Sequence, residues 1–229
     1  MRHRFSLSGF PTAAAVAFLI SAAVAAHAQQ PAAADPDRWE ATIMKFEEQD
    51  RSSPPPQGEI VFIGASSIVR WNLPEYFPDL KVINRGFGGS EMVDAARYAA
   101  RIVVPYSPRI VVLYEGDNDI GRGVAPEKVE DDFERFVQVV QGALPQARLV
   151  VIAVKPSLLR WAVYDNMKKA NALMRTYIEA HKGLEYVEVG PPMLGTDGKP
   201  RPELFVPDGL HMTAEGYKLW TGLLRPHLK

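Results

Sequence analysis

Five residues of this chain have the types and order that acyl transfer through a serine requires. Ser66 directly follows an apolar run. Gly89 and Asn118 lie in glycine-marked turns after two further apolar runs, and Asp208 and His211 stand three residues apart near the C-terminus. A serine hydroxyl is a weak nucleophile until a base takes its proton, and imidazole suits that task. A carboxylate on the other ring nitrogen fixes the tautomer and stabilises the imidazolium that forms. Backbone N–H groups and a side-chain amide can hold the oxyanion. The set supplies every part that ester hydrolysis needs.

Each residue also has a plainer reading. In Ile63-Gly64-Ala65-Ser66-Ser67-Ile68, Gly64 permits a sharp turn out of a strand and leaves a serine near a helix start. Ser66 or Ser67 can equally cap that helix, and Ser67 is the rival nucleophile. Gly86-Phe87-Gly88-Gly89-Ser90 resembles a dinucleotide fingerprint, but Glu91 occupies the position of its last glycine, so the match fails. A plain turn and a turn whose N–H faces a substrate both remain open. Gly116-Asp117-Asn118-Asp119 fails as a calcium loop, because Gly121 stands where an oxygen ligand is needed and no Glu closes it. Of five histidines, two precede residue 28, His181 stands beside Lys182-Gly183 and His227 is two residues from the terminus. His211 is the well-placed base.

These residues need a scaffold that brings separate segments to one edge. Runs at 59–63, 81–84, 110–114, 149–154 and 184–189 read as strands. The first, third and fourth are nearly continuous apolar stretches, as in strands buried on both faces. Helical patterns at 91–101, 126–144, 161–181 and 213–224 separate or follow them, and Thr213 is placed to cap the last. Such alternation predicts a five-stranded parallel sheet with helices on both faces. Ligands in such sheets sit beyond the carboxyl ends of the strands, where Ser66, Gly89 and Asn118 fall. Lys155-Pro156-Ser157 and Arg160-Trp161 fall at the same edge and are candidates for substrate contact. Trp71 and Trp161 are candidate substrate-binding residues that could stack on a sugar or pack an acyl chain. Tyr114 reads as core.

The chain has 229 residues and a net charge of -1, which gives no footprint for nucleic acid. It has no cysteine, which excludes disulfides, a cysteine nucleophile and thiolate metal sites. The chemistry needs no metal or organic cofactor. Residues 1–28 read as a signal peptide: Arg2 and Arg4 precede an apolar stretch at 13–26, and Ala26-His27-Ala28 fits a cleavage site with the cut after Ala28. The expected location is periplasmic or secreted, with no stable membrane insertion after cleavage. Residues 29–58 read as an Ala/Pro-rich linker carrying a helix at 37–50, and 59–229 as the catalytic domain.

At this point the chain resembles the SGNH or GDSL-like hydrolases, serine esterases and acylhydrolases whose blocks are named for Ser, Gly, Asn and His. Asp208-Gly209-Leu210-His211 and Gly116-Asp117-Asn118 are the more specific matches. The resemblance implies a three-layer α/β/α sandwich like that of flavodoxin. It also implies Ser66 as nucleophile, His211 as base and Asp208 as its orienting group. The oxyanion hole would be built from the Ser66 and Gly89 N–H groups and the Asn118 amide. The first block departs from the family pattern, with Ala65 in place of its aspartate and Ser67 in place of its aliphatic residue. The expected periplasmic location, the lack of a long lid insertion and the candidate aromatics favour small acyl esters or O-acetylated carbohydrate as substrates. Lysophospholipid or thioester cleavage, acyl transfer, and a non-catalytic glycan-binding module are the alternatives. Oligomeric state is not fixed by the sequence.

Overall fold

The computed structural model describes Met1, Asp35 and residues 37–229; the predicted signal peptide lies outside the described residues apart from Met1. Five parallel strands, β1 (Ile60–Gly64), β2 (Val82–Gly86), β3 (Ile110–Tyr114), β4 (Arg148–Ile152) and β5 (Leu184–Val187), form one sheet in the order β2-β1-β3-β4-β5. β1 and β3 are buried along their whole length, because both faces of the sheet are covered.

The alternation of side chains sorts the core into two layers. Val61, Ile63, Val111, Leu113, Leu149 and Val151 point to one face. There they meet α4 (Met92–Ile102), α6 (Pro126–Ala143) and α7 (Tyr164–Ala180). Ile60, Phe62, Ile110, Val112, Val150 and Ile152 point to the other, against Leu73 of the short α3 (Leu73–Tyr76) and α8 (Ala214–Leu224). The three-layer α/β/α sandwich expected from the sequence is the observed architecture. Thr213 caps α8, its hydroxyl accepting from the Gly216 N–H at 3.3 Å.

One expectation is refined and one is corrected. The helix expected at 37–50 is α1 (Glu40–Ser52), and it packs on the domain. Ile43 is fully buried in the core, Arg101 binds Glu40 and Glu47, and Arg38 binds Glu91 and Asp94. Division of the chain at Gly58 therefore does not follow the packing. Trp71, expected in the substrate pocket, is a core residue with 1% exposure. It packs among Phe62, Phe77, Tyr217 and Trp220 at centroid separations of 5.6–5.7 Å. The turn after Ser66 carries residue 71 back beneath the sheet rather than out to the site.

Candidate active site

Gly64 makes the first turn possible. Its φ is +146°, and a Cβ there would lie 2.1 Å from the Tyr114 carbonyl oxygen, so no side chain fits. The chain then enters α2 (Ser66–Val69), with Ala65 at the N-cap and no side-chain cap. Ser66 thus occupies the first helical position with its hydroxyl free for other partners. Ser67 is 2% exposed, so Ser66 is the accessible serine of the pair. Without the family aspartate the turn is braced from elsewhere. The Asn84 amide donates to the Ile68 carbonyl at 2.8 Å and the Tyr217 hydroxyl donates to the Ser67 carbonyl at 3.0 Å.

The candidate base, His211, arrives from the opposite end of the sequence. Gly209, with φ +68°, turns the chain so that the Leu210 and His211 N–H groups both donate to Asp208 Oδ1, at 2.8 and 2.9 Å. The other carboxylate oxygen meets His211 Nδ1 at 2.6 Å, and His211 Nε2 lies 3.0 Å from Ser66 Oγ. The His211 hydrogen bond, helped by the two backbone N–H groups, holds the Asp208 carboxyl well below the usual carboxylate range. The carboxylate therefore stays ionised and the imidazole keeps its second nitrogen toward the serine. The arrangement can move a proton from Ser66 Oγ to His211 while stabilising the cation that results.

The N–H groups of Ser66 and Gly89 have no acceptor among the described residues. Ser66 owes this to its place at the start of a helix, where the first N–H groups have no partner in the helix itself. Gly88 faces the nucleophile, since a Cβ on it would stand 3.8 Å from Ser66 Cβ. Gly89, at φ +87°, lies against the Trp39 ring just before α1. Asn118 lies in α5 (Asp117–Gly121), where the turn at Gly116 takes φ +104°. One of its two amide N–H groups donates to the Ser90 carbonyl at 2.8 Å, which leaves the second for a substrate.

Several groups around this frame have no signal in local sequence spacing. Arg160 Nη2 donates to Asn118 Oδ1 at 2.9 Å, and its Nη1 pairs with Asp117. Lys155, considered above for substrate contact, is fully buried, with Nζ 2.8 Å from Asp117 Oδ2. Ser157 is buried as well. Burial drives the Asp117 carboxyl up, but the Lys155 and Arg160 charges outweigh it and hold the group below its ordinary value. Glu115 is buried next to the Ser90 hydroxyl, and desolvation raises its carboxyl well above the ordinary range. Trp161 is 36% exposed and stacks on Tyr164 at 5.1 Å. Tyr114 is core, as read from the sequence.

The sequence profile of the GDSL-like lipase/acylhydrolase family matches residues 64–219 of this chain. That stretch runs from the glycine before the serine turn to α8 and is well over half the sequence. The chain belongs to the GDSL-like lipase/acylhydrolase family. Among curated proteins it is similar to the bovine platelet-activating factor acetylhydrolase IB subunit alpha1, 27% identical over 193 residues that cover 79% of this chain and 78% of that protein. A GDSL-like lipase from Bacteroides thetaiotaomicron shares the fold with a TM-score of 0.72 at 21% identity, over 82% of this chain and 97% of that one. A carbohydrate esterase family 3 structure from Talaromyces cellulolyticus aligns with a TM-score of 0.61 at 15% identity, over 75% and 96%. As a GDSL-like acylhydrolase, the chain belongs among hydrolases of the esterase type.

Proposed function

We propose that this protein is a serine hydrolase of small carboxylic esters, acetyl esters of carbohydrate among them, and that it works through an acyl-enzyme. The observation that carries the proposal is the continuous chain Asp208–His211–Ser66, with separations of 2.6 and 3.0 Å. Ser66 Oγ attacks the acyl carbonyl as His211 Nε2 takes its proton. Asp208 orients the ring. The oxyanion is received by the Ser66 and Gly89 N–H groups and the second Asn118 amide hydrogen. His211 returns the proton to the leaving alcohol, and water clears the acyl-enzyme by the same steps in reverse. Trp161, exposed and next in the chain to Arg160, is assigned to substrate contact as a stacking surface. The name acetylhydrolase on the curated relative supports a short acyl group, and the carbohydrate esterase among the folds is in keeping with a carbohydrate ester. The leader-like N-terminus supports export, which sequencing the N-terminus of the exported protein would check against a cut after Ala28.

The test is turnover of p-nitrophenyl acetate, butyrate and octanoate by wild type beside Ser66→Ala. The expected result is Ser66-dependent hydrolysis that falls with acyl length. Equal rates in the two proteins would overturn the assignment, and a preference for octanoate would redirect it to lipid or thioester substrates.

A further inference from the structure

The oxyanion amide presents a problem of orientation. The two ends of a carboxamide are nearly the same size, and a flip of Asn118 would aim an oxygen where a donor is required. The Ser90 carbonyl selects one orientation by accepting from Nδ2 at 2.8 Å. Arg160 selects the same one from the other side. A guanidinium has five donors and no acceptor, so its 2.9 Å contact can be made only to Oδ1.

Arg160 is itself fixed. Its Nη1 is paired with Asp117 Oδ1, while the other oxygen of that carboxylate accepts from Lys155 Nζ at 2.8 Å and the Tyr114 hydroxyl at 3.1 Å. The side chain crosses the open face of Gly121, where a Cβ would come within 2.7 Å of Nε and 2.9 Å of Cζ. Two cations share one carboxylate in this cluster. The second of these cations, Arg160, touches the amide that would face a developing negative charge. A structural ion pair needs only one cation.

We propose that Arg160 is a positioning residue for the oxyanion hole: it locks the Asn118 amide in its donating orientation and polarises it. The proposal rests on the esterase reading of the site. A charge-assisted bond to Oδ1 draws electron density from the amide and makes the free N–H a stronger donor. The benefit grows as charge develops on the substrate oxygen, so it belongs to turnover rather than to substrate binding.

The experiment compares kcat and KM on p-nitrophenyl acetate for wild type, Ser66→Ala, Arg160→Met, Arg160→Lys, Asn118→Ala, the Arg160→Met/Asn118→Ala double variant, and Gly121→Ala. Arg160→Met is expected to lower kcat roughly 10- to 100-fold, less than or equal to the ~10²–10³-fold typical of losing an oxyanion donor, with KM within about 2-fold of wild type. The double variant should be no slower than Asn118→Ala alone, since Arg160 acts through that amide. Arg160→Lys should recover part of the loss by restoring charge without the fork. Gly121→Ala keeps every polar group and displaces only the guanidinium, so it should lower kcat as well, and it carries the test if Arg160→Met does not fold. Full kcat in Arg160→Met or in Gly121→Ala, beside an inactive Ser66→Ala, overturns the proposal and leaves the esterase reading intact. Multiplying losses in the double variant, or a rise in KM alone, also overturn it. Activity retained in Ser66→Ala defeats both.

Discussion

Trp71 separates a pocket residue from a core residue, and the two assignments predict opposite outcomes. The indole is 1% exposed and contacts four aromatic rings. Truncation to alanine removes most of a large buried side chain, and such changes cost about 3–5 kcal/mol in transfer and cavity terms together. For a domain stable by about 5–15 kcal/mol, that is a large fraction of the total. The indole Nε1 is buried without an acceptor, so replacement by phenylalanine removes an unpaired donor along with part of the ring. Relief of that unpaired group is worth about 1–3 kcal/mol and offsets much of the lost packing, so Trp71→Phe should cost no more than about 1–2 kcal/mol. The assay is urea denaturation of wild type, Trp71→Ala and Trp71→Phe, with kcat/KM measured well below each midpoint. The expected pattern is a large midpoint shift for alanine, a small one for phenylalanine, an unchanged denaturant slope, and kcat/KM within about 2-fold for folded Trp71→Phe. A wild-type midpoint in Trp71→Ala together with a raised KM would refute the core assignment.

Three further perturbations test other parts of the structure. Gly64→Ala forces a Cβ onto a backbone carbonyl that cannot yield, so soluble yield and Ser66-dependent turnover should both fall sharply, as checked by expression and active-site titration. Burial, with the charges of Glu91 and Asp132, pushes the Asp119 carboxyl up to about 7 against the opposing Met92 N–H. Its folded value lies above its unfolded one, so its contribution is fully present below about pH 4 and is lost as pH rises through about 7. Asp119→Asn cannot titrate, so its stability relative to wild type should increase from pH 4 to 8 by an amount on the order of 4 kcal/mol; parallel stability–pH curves from denaturant melts would refute this. Trp161→Ala should raise KM for acetylated sugar esters several-fold and lower stability in denaturant melts by no more than about 1.5 kcal/mol, the range for losing its stacked pair with Tyr164.

What the sequence revealed depended on the range of each interaction. Strands β1 and β3 were legible because burial on both faces demands unbroken apolar runs, and α6 because eighteen residues give a long amphipathic pattern. The turns α2 and α5 are four and five residues long, too short for any period to register, although their glycines marked the places. The Asp208–His211 pair was readable because a three-residue turn closes it. Arg160 and Asn118 are 42 positions apart, and only the pairing of β3 with β4 brings their loops together. Trp71 was misplaced because nearness to Ser66 along the chain says nothing about which side of the sheet receives the ring. The role of α1 was hidden by the proline run that follows it, which looks like a boundary but turns the chain back into β1.

The hydrogen bond between His211 and Ser66 spans 145 residues. During synthesis, β1, β2 and β3 and the turns that carry Ser66, Gly89 and Asn118 have all emerged before the midpoint of β4, and the central pairings of the sheet can form among them. The imidazole is made almost last. On the proposed mechanism, a chain folded only that far carries its nucleophile without a base. The order of the elements along the chain then acts as a timer: the proposed ester cleavage waits until residue 211 is in place, and a fragment ending before it lacks the general base.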